Sequence, residues 1–375
     1  MPRASIRDAL RLRAAVLQVL SGRSQSPSLQ SGSVCTWDVF LRTERCALAL
    51  KSRLVMAGAG VPNVLEAAAT RELQRILSAR GQLLRIGQLA LAHDIPAIVL
   101  KGGVAALTSA APVDLTDVDV LVPSPHREAE RLAELLDAEG FRATGPAATA
   151  HLAQLIAPNA VQIEVHFAIQ DVEVNDAMWR RTRPVDGVPG LSRLGAVDHL
   201  WHLLVHTVVT HPYRRGALRD VLLTMEALRD CAPAELRDVE RRITAHPLSP
   251  HLDGLLAMAR ELRDGLPVRD RFRREAAANY VLRGPLSWLG FSRFWTSAFL
   301  TALFAQLGGV TDRRRELAWA WQPPANPSPW EFADRLERSL PRLGRWCRTG
   351  VRVPRLLVAR IAAWPVAVAA RRLAS

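Results

Sequence analysis

Two aspartates in the segment DVDVLV are the residues of this sequence best placed to do chemistry. Asp117 and Asp119 are separated by one residue, so on a β-strand their side chains share one face and valines fill the other. Two carboxylates this close repel each other unless a cation or a proton lies between them. Because Mg²⁺ prefers carboxylate oxygens, the segment predicts a strand with two metal ligands; the alternative is two exposed aspartates at a strand end.

A second segment, VQIEVHF, has the same period-two pattern and carries a third acid. Gln162, Glu164 and His166 would share one face of a strand, with apolar side chains on the other. A glutamate at the centre of a half-buried strand is costly unless it has a partner. If this strand lies beside that of Asp117, Glu164 joins the same site, which would hold one or two Mg²⁺ ions. Otherwise the strand is an ordinary half-exposed edge.

The segment IPAIVLKGG supplies a candidate phosphate-binding turn. It has the pattern of a short strand, followed by Lys101, Gly102 and Gly103 and then by helix-prone residues. Glycines at a strand-to-helix turn let backbone N–H groups approach an anion, and a lysine adds positive charge. A plain turn is the alternative. The order of these three segments is the one that a metal-dependent nucleotidyl-transfer site requires.

The elements that would position these residues follow one another in a simple order. Helical periodicity with few breakers predicts N-terminal helices at residues 4–20, 36–56 and 62–93. Strands and helices then alternate through the acidic segments, and helical periodicity returns after them. We predict an α+β fold, with a small mixed-sheet nucleotidyltransferase core embedded between N- and C-terminal helical regions. The chain divides into an N-terminal helical region, the α/β core, a C-terminal helical domain, and a linker with a basic amphipathic tail, at residues 1–95, 96–190, 191–321 and 322–375.

The composition is that of a globular protein, with 49% hydrophobic residues in 375. The four cysteines are scattered and lack the spacing of a zinc site. Charged residues interrupt the N-terminal segment, which therefore lacks the apolar core of a signal peptide. We expect a cytoplasmic protein.

Most of the formal charge of +13 belongs to the tail, because nine arginines and no acidic residue lie between Arg338 and the C-terminus. Residues 338–375 can be interpreted as a helix pair at an anionic membrane surface, as an arm that contacts RNA, or as a packed helix with a solvated basic face. The apolar segment 285–310 is interrupted by Arg293 and Gln306, which favours a buried or amphipathic helix over a membrane span.

The order of LKGG, DVDVLV and IEVH, followed by HLLVH and LRDVLL, resembles a bacterial family of uncharacterised nucleotidyltransferases in the polymerase-β-like superfamily. The resemblance covers roughly residues 36–265. It implies that Gly102 and Gly103 replace a glycine-rich turn, that Asp117 and Asp119 are the paired metal ligands, and that Glu164 is the third carboxylate.

The helical part of the family adds weaker candidates. By the resemblance, Asp220 in LRDVLL would orient the acceptor or act as a base; a salt-bridged surface aspartate is the alternative. His199, His202 and His206 are spaced to share one helical face, where they would bind a metal, face the acidic pocket or pack between helices. Relatives usually carry an aromatic residue and an arginine shortly before the paired acids, whereas the stretch SAAPVDLT has neither.

The activity implied is transfer of a nucleoside monophosphate from a nucleoside triphosphate, such as ATP, to a hydroxyl acceptor, with release of pyrophosphate. The acceptor would be a small molecule, a peptide or an RNA end. Because the arginine is missing, the alternative is a catalytically weak or inactive member that binds nucleotides or regulates. Either function is compatible with peripheral association of the tail with a membrane.

Overall fold

A seven-stranded mixed sheet is flanked along the chain by two groups of helices, so the predicted α+β class is confirmed. This computed structural model describes residues 6–23, 29, 33–109, 113–123, 127–144, 150–169, 173–211, 215–283, 303 and 361–374.

The N-terminal helices form largely where helical periodicity predicts them. They are α1 to α4, at Ile6–Leu20, Val34–Glu44, Ala47–Met56 and Asn63–Ala92. The Ser33 hydroxyl accepts a hydrogen bond from the Thr36 N–H and thereby caps α2. The single helix predicted over 36–56 is wrong, because the chain adopts a left-handed conformation at Arg45, with φ 51°, and this ends α2.

The sheet has the spatial order β3-β4-β5-β2-β1-β7-β6. Strands β1 to β7 are Ile98–Val99, Asp117–Leu121, Arg142–Thr144, Gln154–Ile156, Gln162–His166, Arg183–Pro184 and Ser192–Arg193. Between them lie α5, α6 and α7, at Lys101–Thr108, Arg127–Ala138 and Asp176–Arg180. The two strands that carry the acids, β2 and β5, are neighbours and run parallel, and β1 pairs with β2 in the antiparallel sense.

The C-terminal helices follow the sheet. They are α8 to α12, at Ala196–Val205, Leu218–Arg229, Pro233–Ala245, Ser249–Arg263 and Arg273–Arg283. A π-helical turn, His206–Thr210, continues α8. Such turns are rare and often occur at functional sites.

Three apolar clusters form the core of the described residues, and the two larger ones determine how the helices and the sheet pack. In the first, the valines of β2 and β5 pack with α4 and α6, for example through Leu83 and Leu132. The second joins the two ends of the described chain, because Leu10, Phe40 and Tyr280 all belong to it. The N- and C-terminal helices therefore share one core; the division of the chain into four segments stays a prediction.

Glu44 is the polar centre of this shared helical core. Its Oε2 accepts hydrogen bonds from Arg13 Nη1 at 2.6 Å and from the Leu218 N–H at 2.8 Å, and its Oε1 accepts one from the Tyr280 hydroxyl. Arg13 also donates to Asp270, at 2.8 Å from Nε. One carboxylate thus connects α1, α2, α9 and α12.

The last described segment, residues 361–374, is helical. It buries Ala363, Val366 and Ala367 in the shared helical core, while Ile361 and Trp364 are exposed. Within the described ranges, no helix combines the length and the apolar character that crossing a membrane requires. Residues 285–310 apart from Leu303, and residues 322–360, lie outside the described residues, so the interpretations of the linker and the tail stay predictions.

We expect Glu44→Ala to lower the free energy of unfolding by about 3–5 kcal/mol, because it leaves the buried Arg13 guanidinium short of a partner. Glu226→Ala is the matched control: Glu226 pairs with Arg229 on the exposed face of α9, and its loss should cost less than about 1 kcal/mol. Chemical denaturation measures both. Equal losses in the two variants would contradict the central position of Glu44.

Glu72 of α4 is a second buried carboxylate, and it caps the N-terminus of α3. It accepts the N–H groups of Ala47 at 3.1 Å and Leu48 at 2.8 Å. Burial raises the pKa of Glu72 from 4.5 to about 7, although these hydrogen bonds act in the opposite direction. Because the raised pKa means that the folded state holds the proton more tightly, this group's contribution to stability is lost as the pH rises from 4.5 through 7.

In Glu72→Gln, the free energy of unfolding should therefore fall less between pH 4.5 and 7.5 than in the wild type, by about 3 kcal/mol. Glu66→Gln, at an exposed position of the same helix, is the matched control, and Glu72→Gln should change the slope more than this variant does. Denaturation curves at a series of pH values give the slopes. Parallel slopes for the wild type and Glu72→Gln would exclude Glu72 as the titrating group.

Candidate active site

The register of β2 and β5 brings the predicted acids together. Asp119 lies directly opposite Glu164, and Asp117 lies opposite Gln162. Neighbouring residues in register on parallel strands point to the same side of a sheet, so the acids of both strands share one face.

Asp119 is the most buried acid of the site, with 2% of its surface exposed. Its Oδ1 is 2.9 Å from Lys101 Nζ and 2.8 Å from His166 Nε2. Burial alone would raise the pKa of Asp119, but the Lys101 ammonium and the His166 ring outweigh it, so the pKa lies well below its usual range. Asp119 is therefore a carboxylate held ionised by two cationic or hydrogen-bonding partners.

Glu164 is held in place by side-chain amides. Its Oε1 accepts hydrogen bonds from Gln154 Nε2 at 2.8 Å and Gln162 Nε2 at 2.9 Å. Its Oε2 is 3.5 Å from His166 Nε2 and 4.0 Å from His151 Nε2. Although burial acts to raise the pKa of Glu164, the hydrogen bond with His166 lowers it below its usual value. Both carboxylate oxygens of Glu164 thus have the partners that a glutamate at the centre of a half-buried strand requires.

Asp117 has a different environment. Burial, followed by repulsion from Asp119, raises the pKa of Asp117, and the charges of Arg219 and Lys101 oppose this rise. The two aspartates of the DVD segment are therefore not equivalent, since only Asp119 makes direct contact with Lys101 and His166.

Three side chains of the site fit a metal ion. Ligand atoms of Asp119, Glu164 and His166 all lie within 4.8 Å of one another, and the three residues are buried or half-buried. Two carboxylate oxygens and one imidazole nitrogen form a suitable set of ligands for a divalent cation. The sequence pattern places His166 on the acidic face but gives it no role, because a single histidine at a strand end has no spacing signal.

The KGG segment differs in detail from the predicted turn. Helix α5 begins at Lys101 itself, and the left-handed conformation falls on this lysine, with φ 48°, rather than on a glycine. A non-glycine residue in this conformation is strained, which is common at functional sites. Gly102 and Gly103 lie in the first helical turn. A β-carbon on Gly103 would be 2.6 Å from Val99 Cγ2, so this glycine is needed for close packing of α5 on β1.

An arginine reaches the glycines from α9, which packs against α5. A β-carbon on Gly102 would lie 3.4 Å from Nη2 of Arg219, and the charge of Arg219 lowers the pKa of Asp117. Arg219 is buried. The stretch before Asp117 has no arginine, but the fold supplies a guanidinium from a distant part of the chain.

His202 approaches the same region from α8, which also packs against α5. Burial, followed by the charge of Lys101, keeps the pKa of His202 well below its usual value. His199, one turn earlier, has a pKa of about 4 because of burial and the nearby charge of Arg193. The alternatives for His199, His202 and His206 are metal binding, a position facing the acids, and packing between helices. The structure favours packing for His199 and a position near the acids for His202.

Asp220, the fourth predicted catalytic residue, is buried in the first turn of α9, next to Arg219. The charges that most strongly shift the pKa values of Asp117, Asp119 and Glu164 come from other residues. A catalytic role for Asp220 stays a prediction.

A mixed sheet that carries three acids on two adjacent parallel strands, next to a helix that begins with Lys-Gly-Gly, defines a nucleotidyltransferase-type α+β protein. A family model for uncharacterised nucleotidyltransferases matches residues 42–264, and the chain belongs to this family. The match includes the sheet, the acids and helices α3 to α11. No curated protein matches the chain.

The packing of the glycines generates a stability prediction. Gly103→Ala should lower the free energy of unfolding by about 1–3 kcal/mol, because the added methyl group overlaps the stiff Val99 side chain. Gly81→Ala is the control: Gly81 lies on α4 with open space around its α-carbon, so alanine should stabilise the helix by about 0.5–1 kcal/mol. Thermal or chemical denaturation measures both effects. The packing explanation fails if both substitutions change stability in the same direction.

Proposed function

We propose that the protein transfers a nucleoside monophosphate from a nucleoside triphosphate to a hydroxyl acceptor and releases pyrophosphate. The observation that carries this proposal is the in-register pairing of Asp119 with Glu164 on parallel strands, beside the start of α5. Membership of the nucleotidyltransferase family supports the same reaction class.

The triphosphate would bind where positive charge gathers at the start of α5. Lys101 and Arg219 both lie there, and the N-terminal end of a helix also favours anions. When substrate binds, the Lys101 ammonium, now 2.9 Å from Asp119, would exchange this carboxylate for a phosphate oxygen. Gly102 and Gly103 contribute by leaving room for Arg219 and for close packing of α5, and Lys101 contributes its charge.

Asp119, Glu164 and His166 would hold a divalent cation, with Asp117 beside them. The ion would supply positive charge to the reacting phosphate, and one or two ions are compatible with such a reaction. The residues themselves supply position: Gln154 and Gln162 fix Glu164, and the strand register fixes Asp119 opposite it. Most of the catalysis would come from this positioning and from charge neutralisation.

The second candidate function is a nucleotide-binding or regulatory module without strong activity. The specific observation in its favour is that the stretch SAAPVDLT before Asp117 lacks an arginine. Asp114, which lies in this stretch, accepts hydrogen bonds from Arg45 and Arg75, at 2.8 and 2.7 Å. Pyrophosphate release separates the candidates. The full chain would be incubated with γ-phosphate-labelled triphosphates, whose label leaves with the pyrophosphate, together with a divalent cation and pools of small-molecule, peptide or RNA acceptors. Tight binding without pyrophosphate release in any pool would favour the module.

Substitution of Lys101 tests the proposed triphosphate site. We expect Lys101→Ala to weaken binding of a non-hydrolysable triphosphate by about 1.5–3 kcal/mol, the value of a hydrogen bond to a charged group. Lys51→Ala removes the other lysine of the chain, which pairs with Glu66 away from the site, and should leave the affinity unchanged.

Isothermal titration calorimetry gives the two affinities. Because Lys101 also pairs with the buried Asp119, circular dichroism must show that the Lys101→Ala variant is folded. Wild-type affinity in a folded Lys101→Ala variant would refute the assignment.

A further inference from the structure

The site differs from an all-carboxylate magnesium site in one respect: its third ligand atom is a nitrogen. His166 Nε2 is 2.8 Å from Asp119 Oδ1 and 3.5 Å from Glu164 Oε2. The three side chains are close enough to hold one ion together. Asp117 lies outside this group of three, and its predicted role as a metal ligand stays a prediction.

The position of the nitrogen is fixed by the strand and not by a flexible loop. His166 is the last residue of β5 and lies opposite Leu121, and its carbonyl oxygen accepts the Val122 N–H at 2.9 Å. It follows Glu164 by two residues, so strand alternation points both side chains to the same face. His166 is itself buried. The imidazole is therefore held in the site before any ligand arrives.

A second, independent observation indicates that a ligand belongs here. His202 has only 4% of its surface exposed, and within the described part of the chain neither of its ring nitrogens has a hydrogen-bond partner. The charges of Lys101, Asp119 and His166 all act on this ring. A buried imidazole without partners is costly, since both its donor and its acceptor have lost water. A water on a bound ion, or a phosphate oxygen, would satisfy it.

The chemistry of the donor atoms decides which ion fits best. Mg²⁺ prefers carboxylate, water and phosphate oxygens and gains little from imidazole. First-row transition-metal dications bind nitrogen more strongly, and for any given site of this kind their affinities follow a common order that starts at Mn²⁺. A buried site with two carboxylates and one imidazole therefore discriminates against Mg²⁺.

We infer that this site takes a first-row transition-metal dication in preference to Mg²⁺, with Nε2 of His166 as a direct ligand beside Asp119 and Glu164. The inference rests on the proposed function, because it concerns the cation of the same site. The opposing explanation is that His166 only orients Asp119 through a hydrogen bond. In that case its loss would weaken the binding of all divalent cations alike.

Mn²⁺ is the probe, because its paramagnetism reports both affinity and ligand type. The full chain would be titrated with Mn²⁺ and, in competition, with Mg²⁺, with and without a non-hydrolysable triphosphate. We expect Mn²⁺ to bind at least about tenfold more tightly than Mg²⁺. Pulsed electron paramagnetic resonance of the Mn²⁺-loaded protein should show coupling to a ¹⁴N nucleus.

His166→Ala should remove the nitrogen coupling and lower the Mn²⁺ affinity more than the Mg²⁺ affinity, so that the ratio of the two affinities falls. His151→Ala is the matched control, because His151 Nε2 lies 4.0 Å from Glu164 Oε2 while its Nδ1 contacts the Leu152 carbonyl oxygen. This variant should keep both the coupling and the ratio. The wild-type spectrum tests the inference even if His166→Ala fails to fold.

Three outcomes would overturn the inference. Equal affinities for Mn²⁺ and Mg²⁺ without nitrogen coupling in the wild type would leave the proposed function intact but assign an all-oxygen site. Loss of the nitrogen coupling in His151→Ala instead of His166→Ala would show that His151, and not His166, is the nitrogen ligand. If neither ion binds, with or without the triphosphate, the proposed function fails as well.

Discussion

The burial of the Asp119 carboxylate is the constraint on which the rest of the site depends. An ionised carboxylate loses several kcal/mol of hydration when it is buried, and only close opposite charge and hydrogen bonds offset this cost. Here Lys101 and His166 both contact one oxygen of Asp119. Lys101 reaches it because α5 begins directly after β1, and His166 reaches it because β5 pairs in register with β2. The parallel pairing of β2 with β5 and the start of α5 thus bring together the two groups that offset the cost of one buried anion.

The contacts of Lys101 and His166 with Asp119 also explain how the site can be stable without a ligand and still bind one. Lys101 and His166 supply part of the positive charge that a metal ion would bring, and this offsets part of the repulsion among the acids in the free protein. A cation and a triphosphate would take over both contacts. The helices from the two ends of the chain support this arrangement, because the bonds of Glu44 connect α1 and α2 to the start of α9, the helix that carries Arg219.

Sequence patterns predict the α+β class, β2, β5 and most helices, because these depend on period-two and helical repeats within short windows. The joining of Asp119, Glu164 and Lys101 also follows, once the two acidic strands are taken as neighbours. Patterns fail where contacts are distant in sequence. The hydrogen bonds of Glu44 with Arg13 and Tyr280 join residues 31 and 236 positions apart, and no local repeat in the sequence predicts them. Arg219 is not predicted for the same reason. The break at Arg45 is not predicted because a left-handed residue other than glycine leaves no signature in the sequence.

The most direct measurement of the central claim is a crystal structure of the full chain with Mn²⁺ and a non-hydrolysable triphosphate, in which the anomalous scattering of the metal locates it without ambiguity. We expect an anomalous peak about 2.0–2.6 Å from oxygens of Asp119 and Glu164, with Lys101 turned to a phosphate oxygen. A structure with bound triphosphate in which Lys101 still pairs with Asp119, and in which no anomalous peak lies between the two acids, would contradict it.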